Sequence, residues 1–175
     1  MTSAAPSGAN MGTATTGEAG TDAAAGFRGA MRRLASGVAI VVAEGREGPV
    51  GMAATSITSL TMDPPAVLVC VNRSATLHAC LAPGCPITVN LLSRHQRHVS
   101  SAFGGGVPRE KRFEAGEWNS APGLLPMLRD AQANLTCKVE SIAPYGTHSI
   151  VIASVDSVRI SDVVDPLIYQ DGAYL

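Results

Sequence analysis

The chain has 175 residues, 46% of them hydrophobic and 15% charged, with a formal net charge of −1. That length gives one domain, and the apolar fraction is enough for a sizeable core. Two lysines against eleven arginines, with no basic stripe interleaved with aromatics, argue against a nucleic-acid surface. No apolar run approaches the ~18–20 residues that span a bilayer, and the N-terminus lacks the basic and apolar regions of a secretory signal, so the sequence reads as cytoplasmic. Cys70, Cys80, Cys85 and Cys137 include no Cys-x-x-Cys pair and read as reduced, mostly buried thiols.

Residues 1–26 are mostly Ala, Gly, Ser and Thr. Such a stretch cannot offset the entropy of ordering it, which predicts a disordered tail before a domain over 27–175. Phe27, Ala30, Met31 and Leu34 then fall at i, i+3, i+4, i+7, one face of a short helix. Val38 to Ala43 is a β-branched strand ending in the turn Glu44-Gly45-Arg46-Glu47-Gly48, with Val50 to Ala54 as hairpin partner. Ala66 to Val71 follows Pro64-Pro65 as a continuous apolar run, the pattern of a strand buried on both faces. Ala75 to Leu81 reads as one or two helical turns, and Ile87 to Leu92 as another strand. Residues 93–123 are polar, Gly-rich and irregular, with helical turns around 96–102 and 108–112; a stretch of this kind usually covers something. Two long strands, about 131–144 and 147–160, meet at Pro144-Tyr145-Gly146. A short terminal strand follows Pro166-Leu167-Ile168-Tyr169 and the turn Gln170-Asp171-Gly172. Many strands, few helices and no βαβ rhythm predict a mainly β fold, an antiparallel barrel.

Several sites are missing from the sequence. No G-x-G-x-x-G follows a strand, no phosphate loop of the G-x-x-x-x-G-K-[ST] type exists, and no G-x-S-x-G elbow appears. His95 and His98 are three apart, but nothing nearby completes a metal set. What stands out is Gly51-Met52-Ala53-Ala54-Thr55-Ser56-Ile57-Thr58-Ser59-Leu60-Thr61, where small residues and hydroxyls alternate between two strands. Such a run lets a flat ring or a phosphate approach backbone N–H groups; a Ser/Thr-rich strand and turn without a ligand fits the composition as well. Asn72-Arg73-Ser74-Ala75-Thr76 ends the buried strand, where Ser74 or Thr76 caps a helix or the same amides and hydroxyls bind a phosphate. Gly146-Thr147-His148 lies at a bend. Tyr145, Tyr169 and Tyr174 are core or rim aromatics by default.

In order and spacing these pieces resemble the short-chain flavin reductases, the FMN-binding split barrels of two-component monooxygenases. The shared features are Phe-Arg-x-Ala-Met at 27–31, Ala54-Thr55-Ser56-Ile57-Thr58-Ser59 leading to Asp63-Pro64-Pro65, and Val67-Leu68-Val69-Cys70. They continue through Val89-Asn90-Leu91-Leu92, Phe103-Gly104-Gly105 with Arg112-Phe113 and Trp118, Gly146-Thr147-His148, and Pro166 to Tyr169 before Gly172-x-Tyr174. The nearest branch is that of the 4-hydroxyphenylacetate hydroxylase and pyrimidine-utilisation reductases. Many relatives carry Gly-Asp-His where this chain has Gly-Thr-His, which removes an acidic partner for His148.

The resemblance implies an NAD(P)H-dependent flavin reductase, a homodimer that reduces FMN or FAD with NADH (or NADPH) and hands reduced flavin to a monooxygenase. It implies that Ala53, Ala54, Thr55, Ser56 and Ser59 line the ring and ribityl chain, with Asn72, Ser74 and Thr76 near the phosphate. Asn90, Leu91 and Phe113 lie alongside, and His148 and Tyr174 fall where relatives bind the nicotinamide, His148 being the candidate catalytic residue. The competing readings are a pyridoxamine-phosphate-oxidase-like flavoprotein on the same barrel and a non-enzymatic flavin- or haem-binding module.

Overall fold

The computed structural model describes residues 23–175, so the predicted tail lies outside the described residues as far as residue 22. Residues 23–26 are helical: α1, Ala23–Met31, starts four positions before Phe27 because its first three residues are alanines, the strongest helix formers. It buries none of its residues, and Phe27, Met31 and Leu34 of the expected apolar face are exposed.

The barrel strands and their small companions are β1 (Ser36–Gly37), β2 (Ala39–Gly45), β3 (Gly48–Ala54), β4 (Ile57–Met62), β5 (Pro65–Asn72), β6 (Pro86–Leu91), β7 (Trp118–Asn119), β8 (Met127–Leu128), β9 (Ala133–Tyr145), β10 (His148–Ile160), β11 (Ile168–Gln170) and β12 (Ala173–Tyr174). Seven of them form one antiparallel sheet in the order β3-β2-β6-β9-β10-β5-β4. Its two edge strands, β3 and β4, are neighbours in sequence, joined by Thr55 and Ser56 alone. Laid flat, seven strands about 4.8 Å apart would hold those edges roughly 29 Å from each other. A two-residue link reaches only about 11 Å. The sheet therefore curls until its edges meet, and because no ladder joins β3 to β4 it closes as a split barrel with an open seam.

Side chains alternate across the wall. Ala39, Val41 and Ala43 of β2 point inward with Val67, Val69, Val71, Val89, Val139 and Val151. Ile40 and Val42 point outward and pack with Val38, Leu92, Val99, Ala102, Phe103, Leu128 and Leu167. The strand buried on both faces is thus β2; β5, expected in that role, leaves Leu68 and Cys70 half exposed. The outer layer over β2 comes from the irregular stretch, through α2 (Arg97–Ser101), the turn Arg109–Glu114 and the β7–β8 hairpin. Ser93 and Gln96 pin it down: the Ser93 hydroxyl donates to Asp130 O at 2.6 Å and the Gln96 amide to Arg129 O at 2.7 Å. The bend between the long strands is Gly146-Thr147, with Pro144 and Tyr145 still in β9. Cys137 is buried, and that burial, with the Asp156 charge added, pushes its thiol up to about 12, so it stays a neutral core group.

The outer layer also explains Gly51. A Cβ there would lie 2.5 Å from Cε1 of Phe103, whose ring is 2% exposed and has no room to withdraw. Smallness at this position serves the protein's own aromatic ring, not a ligand. Gly51→Ala is expected to cost about 1–3 kcal/mol by overpacking, measured by urea unfolding; an unchanged midpoint would contradict the packing.

Candidate functional site at the barrel seam

Peptide groups along a strand face alternate sides. The Gly51 carbonyl accepts a hydrogen bond from Arg112 Nη1 at 3.2 Å, so at Gly51 the backbone faces away from β2. Ala53 follows at the same parity and turns its peptide groups toward the seam, and Thr55 lies in the bend just beyond β3. Ser56 is fixed by its other atoms: its carbonyl accepts from Cys70 N–H at 3.0 Å, and its hydroxyl donates to Cys70 O at 2.9 Å. The amide N–H groups of Thr55 and Ser56 donate to nothing among the described residues, and both residues are exposed. Ile57 to Met62, read in the sequence as part of the connection, form edge strand β4, so the linker is only two residues long. The Ala54 side chain belongs to the barrel core and that of Ala53 packs against the outer layer.

The β9–β10 bend arrives at the same corner because His148 is the register partner of Asn72. Arg73 holds it there, donating its N–H to Thr147 O at 2.9 Å and a guanidinium N–H to Gly146 O at 3.4 Å. His148 is exposed; its Nδ1 lies 2.9 Å from the Thr147 hydroxyl, and its Nε2 has no partner among the described residues. Both expectations for residues 72–76 need correction. The residue preceding the turn Thr76–Cys80 is Ala75, which supplies no side-chain cap. The amides of Arg73, Ser74 and Ala75 are already taken by Thr147 O, Asn72 Oδ1 and Asn72 O, and the Ser74 hydroxyl also donates to Asn72 Oδ1 at 2.9 Å. What remains for an anion is the Arg73 guanidinium and the Thr76 hydroxyl.

Five other predicted residues lie elsewhere. Ser59 pairs with Val67, five β5 positions from Asn72 and therefore roughly 17 Å along the strand. Leu91 sits two strands across from Ala54, packed on the inner core. Asn90 is fully buried with its side chain wholly committed: Oδ1 accepts from Leu128 N–H at 2.9 Å and Asn134 Nδ2 at 2.8 Å, while Nδ2 donates to Ile40 O at 3.2 Å. It ties β8 to the barrel and offers a ligand nothing. Tyr174 is engaged by the Ser100 hydroxyl at 2.9 Å, by Arg97 over its ring at 5.1 Å and by the Tyr169 ring, all on the outer layer. Phe113 stacks edge-on against Phe103 and Trp118, and its free side lines a groove of about 1030 Å³ beside the β2–β3 hairpin.

Sequence reasoning missed Arg112. Its Nε is the one buried side-chain N or O without a hydrogen bond among the described residues, and no carboxylate there pairs with it. A partly buried cation lacking a counter-charge is costly and leaves a positive field beside Gly51, midway along β3. In the sequence it appeared only within the shared Phe103-Gly104-Gly105, Arg112-Phe113 and Trp118 pattern, with no role of its own.

Residues 31–175 match the model of the flavin reductase-like domain. The chain is 39% identical over 148 residues to FMN reductase (NADH) RutF 2 of Rhizobium rhizogenes, covering 85% of this chain and 86% of that protein. It is 38% identical over 148 residues to the FMN reductase (NADH) RutF of Pantoea ananatis, covering 85% of this chain and 78% of the relative. Among solved structures, a flavin reductase of Haemophilus somnus superposes with a TM-score of 0.81 at 32% identity, over 86% of this chain and 97% of that one. The styrene monooxygenase flavin reductase of Pseudomonas putida S12 gives 0.76 at 31% identity, over 85% and 95%.

The placement of Asn90 is directly testable. Asn90→Ala strands two buried donors at about 1–3 kcal/mol each, so urea unfolding should lose about 3 kcal/mol while ligand affinity at the seam stays within twofold. Lost affinity at full stability would return Asn90 to the site.

Proposed function

The chain belongs to the flavin reductase-like family, and from that premise we propose that it is an NADH:flavin oxidoreductase, reducing FMN or FAD and supplying reduced flavin to a partner monooxygenase. The observation that supports a flavin at the seam is the pair of free amides at Thr55 and Ser56, facing a corner that also carries Arg73, Thr76 and His148. Unused donors suit the acceptor-rich edge of the isoalloxazine, and the Arg73 guanidinium, which pairs with no carboxylate among the described residues, and the Thr76 hydroxyl suit a phosphate.

When bound, the flavin and the nicotinamide carry the hydride chemistry between them. The chain's own work is to seat, orient and exclude water. Thr55 and Ser56 would hold the ring through backbone N–H groups fixed in place by the Ser56–Cys70 bonds, so no reorganisation is needed when negative charge develops. Arg73 and Thr76 would hold the phosphate. His148, steadied by Thr147 and with Nε2 free, would position the nicotinamide rather than transfer a proton.

The reading extends to a homodimer. Leu60 and Met62 on β4, Val158 and Ile160 on β10, and Val163 and Val164 beyond it are exposed apolar side chains that a partner subunit would cover. A dimer mass in sedimentation is expected, and a monomer would contradict it. No helix among the described residues is long and apolar enough to cross a membrane, and we place the enzyme in the cytoplasm with its nicotinamide donor.

Purified protein should oxidise NADH catalytically only when free FMN or FAD is added; a flavin-binding protein inert toward NADH would refute the reading. His148→Ala should raise the KM for NADH more than it lowers kcat, and an unchanged KM would remove His148 from the nicotinamide site.

A further inference from the structure

The end of the β9–β10 hairpin that carries His148 has no strand on its β9 side. Strand β6 accompanies β9 only from Ala133 to Lys138, and the loop before β6 hydrogen-bonds no farther along than Val139. Past that point β10 keeps its ladder with β5, and two side chains from outside the hairpin bond its end among the described residues. One is Arg73, whose guanidinium donates to Gly146 O at 3.4 Å. The other is His78, whose Nε2 lies 2.9 Å from the hydroxyl of Ser149, the residue after His148.

A bound flavin would treat these two anchors differently. The Arg73 bond is exposed and longer than the usual range for an N–H donor to oxygen. The reading above gives the same guanidinium to the flavin phosphate, which it pairs with more strongly than with a peptide carbonyl. Phosphate therefore draws Arg73 off Gly146. The His78 bond lies out of reach, because the turn Thr76–Cys80 has two sides. Thr76 and Ala79 face the groove beside the β2–β3 hairpin, while Leu77 is buried in the barrel core. His78 lies on that inner side, half-buried, and Ser149 is 2% exposed. A buried hydroxyl left unpaired is costly, so this bond persists. Resting on the flavin reading, we propose that His78 is the positioning residue for His148. Once the flavin phosphate takes Arg73, the His78–Ser149 bond is the side-chain anchor that keeps His148 in place for the nicotinamide. Neither His78 nor Ser149 touches a cofactor; both act through His148.

The test measures the KM for NADH in the full chain with two acceptors, FMN and riboflavin, which lacks the phosphate. With FMN, His78→Leu and Ser149→Ala should each raise KM about fivefold, the size of one typical hydrogen bond, with kcat within twofold. The double variant should raise it no further, since both remove the same bond. With riboflavin, Arg73 stays on Gly146 and both variants should lie within twofold of wild type. His78→Gln, which keeps an amide at similar reach, should restore the KM. A merely structural His78 would shift both acceptors alike; that result, or an unchanged KM with FMN, overturns the proposal. Amide exchange gives a readout without NADH. At saturating FMN, residues 147–149 should exchange about fivefold faster in His78→Leu than in wild type, and at equal rates without FMN. Equal rates in both states also overturn it. Should the leucine variant not fold, Ser149→Ala reads the same bond. Wild-type protein that shows this exchange response but never oxidises NADH would sink the reductase reading and leave His78 as the anchor of His148. Protein that binds no FMN overturns both, because nothing then draws Arg73 away.

Discussion

A two-residue link between the two outermost strands of a seven-stranded sheet governs the architecture. Thr55 and Ser56 are too short to let the sheet lie open, so it rolls up; β3 and β4 do not pair across that link, so it does not zip shut. Closure without pairing leaves peptide groups along the seam that no strand satisfies. In most barrels such groups are a liability. Here Arg112 takes one of them, the Gly51 carbonyl, while the Thr55 and Ser56 amides stay open. Closure without β3–β4 pairing therefore leaves donors that a flavin can use.

The remaining structure keeps that corner rigid. Inner valines from β2, β5, β6, β9 and β10 fill the barrel, and the outer layer presses Phe103 onto Gly51 so that β3 has one allowed position. Asn90 and Asn134 hold the β8 segment to the wall from within, and Ser93 with Gln96 hold it from the side. On the other flank Arg73 clamps the β9–β10 turn, which fixes His148 opposite Asn72. Every residue assigned to the site stands on a strand end or a turn anchored by hydrogen bonds.

Much of this was legible in the chain itself. β-branched runs set apart by Gly and Pro mark β2, β5, β6, β9 and β10, and alternation over long stretches separates them from helices. β4 was hidden because Ile57-Thr58-Ser59-Leu60-Thr61-Met62 lies at the sheet edge with most of its side chains exposed, so hydroxyls occupy positions where a buried strand would carry valines. The neighbourhood of 55, 72 and 148 was readable only through the family resemblance, since register across β5 and β10 is a long-range property. Gly51 and Asn90 mark the limit of such reading. A small residue and a buried amide look like ligand contacts in a one-dimensional string, and only packing shows that Phe103 and the Leu128 backbone use them. Residues 72–76 held a subtler trap: amides at a strand end look available until local turns consume them.

Amide hydrogen exchange with and without FMN probes the seam most directly. Bound FMN should slow exchange at residues 55–56 and at Thr76 with its neighbours, and steady the 146–148 turn, while the core amides of residues 88–91 and 134 stay as they are. Protection confined to the outer layer around residues 97–101 and 169–174, with 55–56 unaffected, would mean the flavin sits elsewhere and that the open seam is only a gap in the sheet.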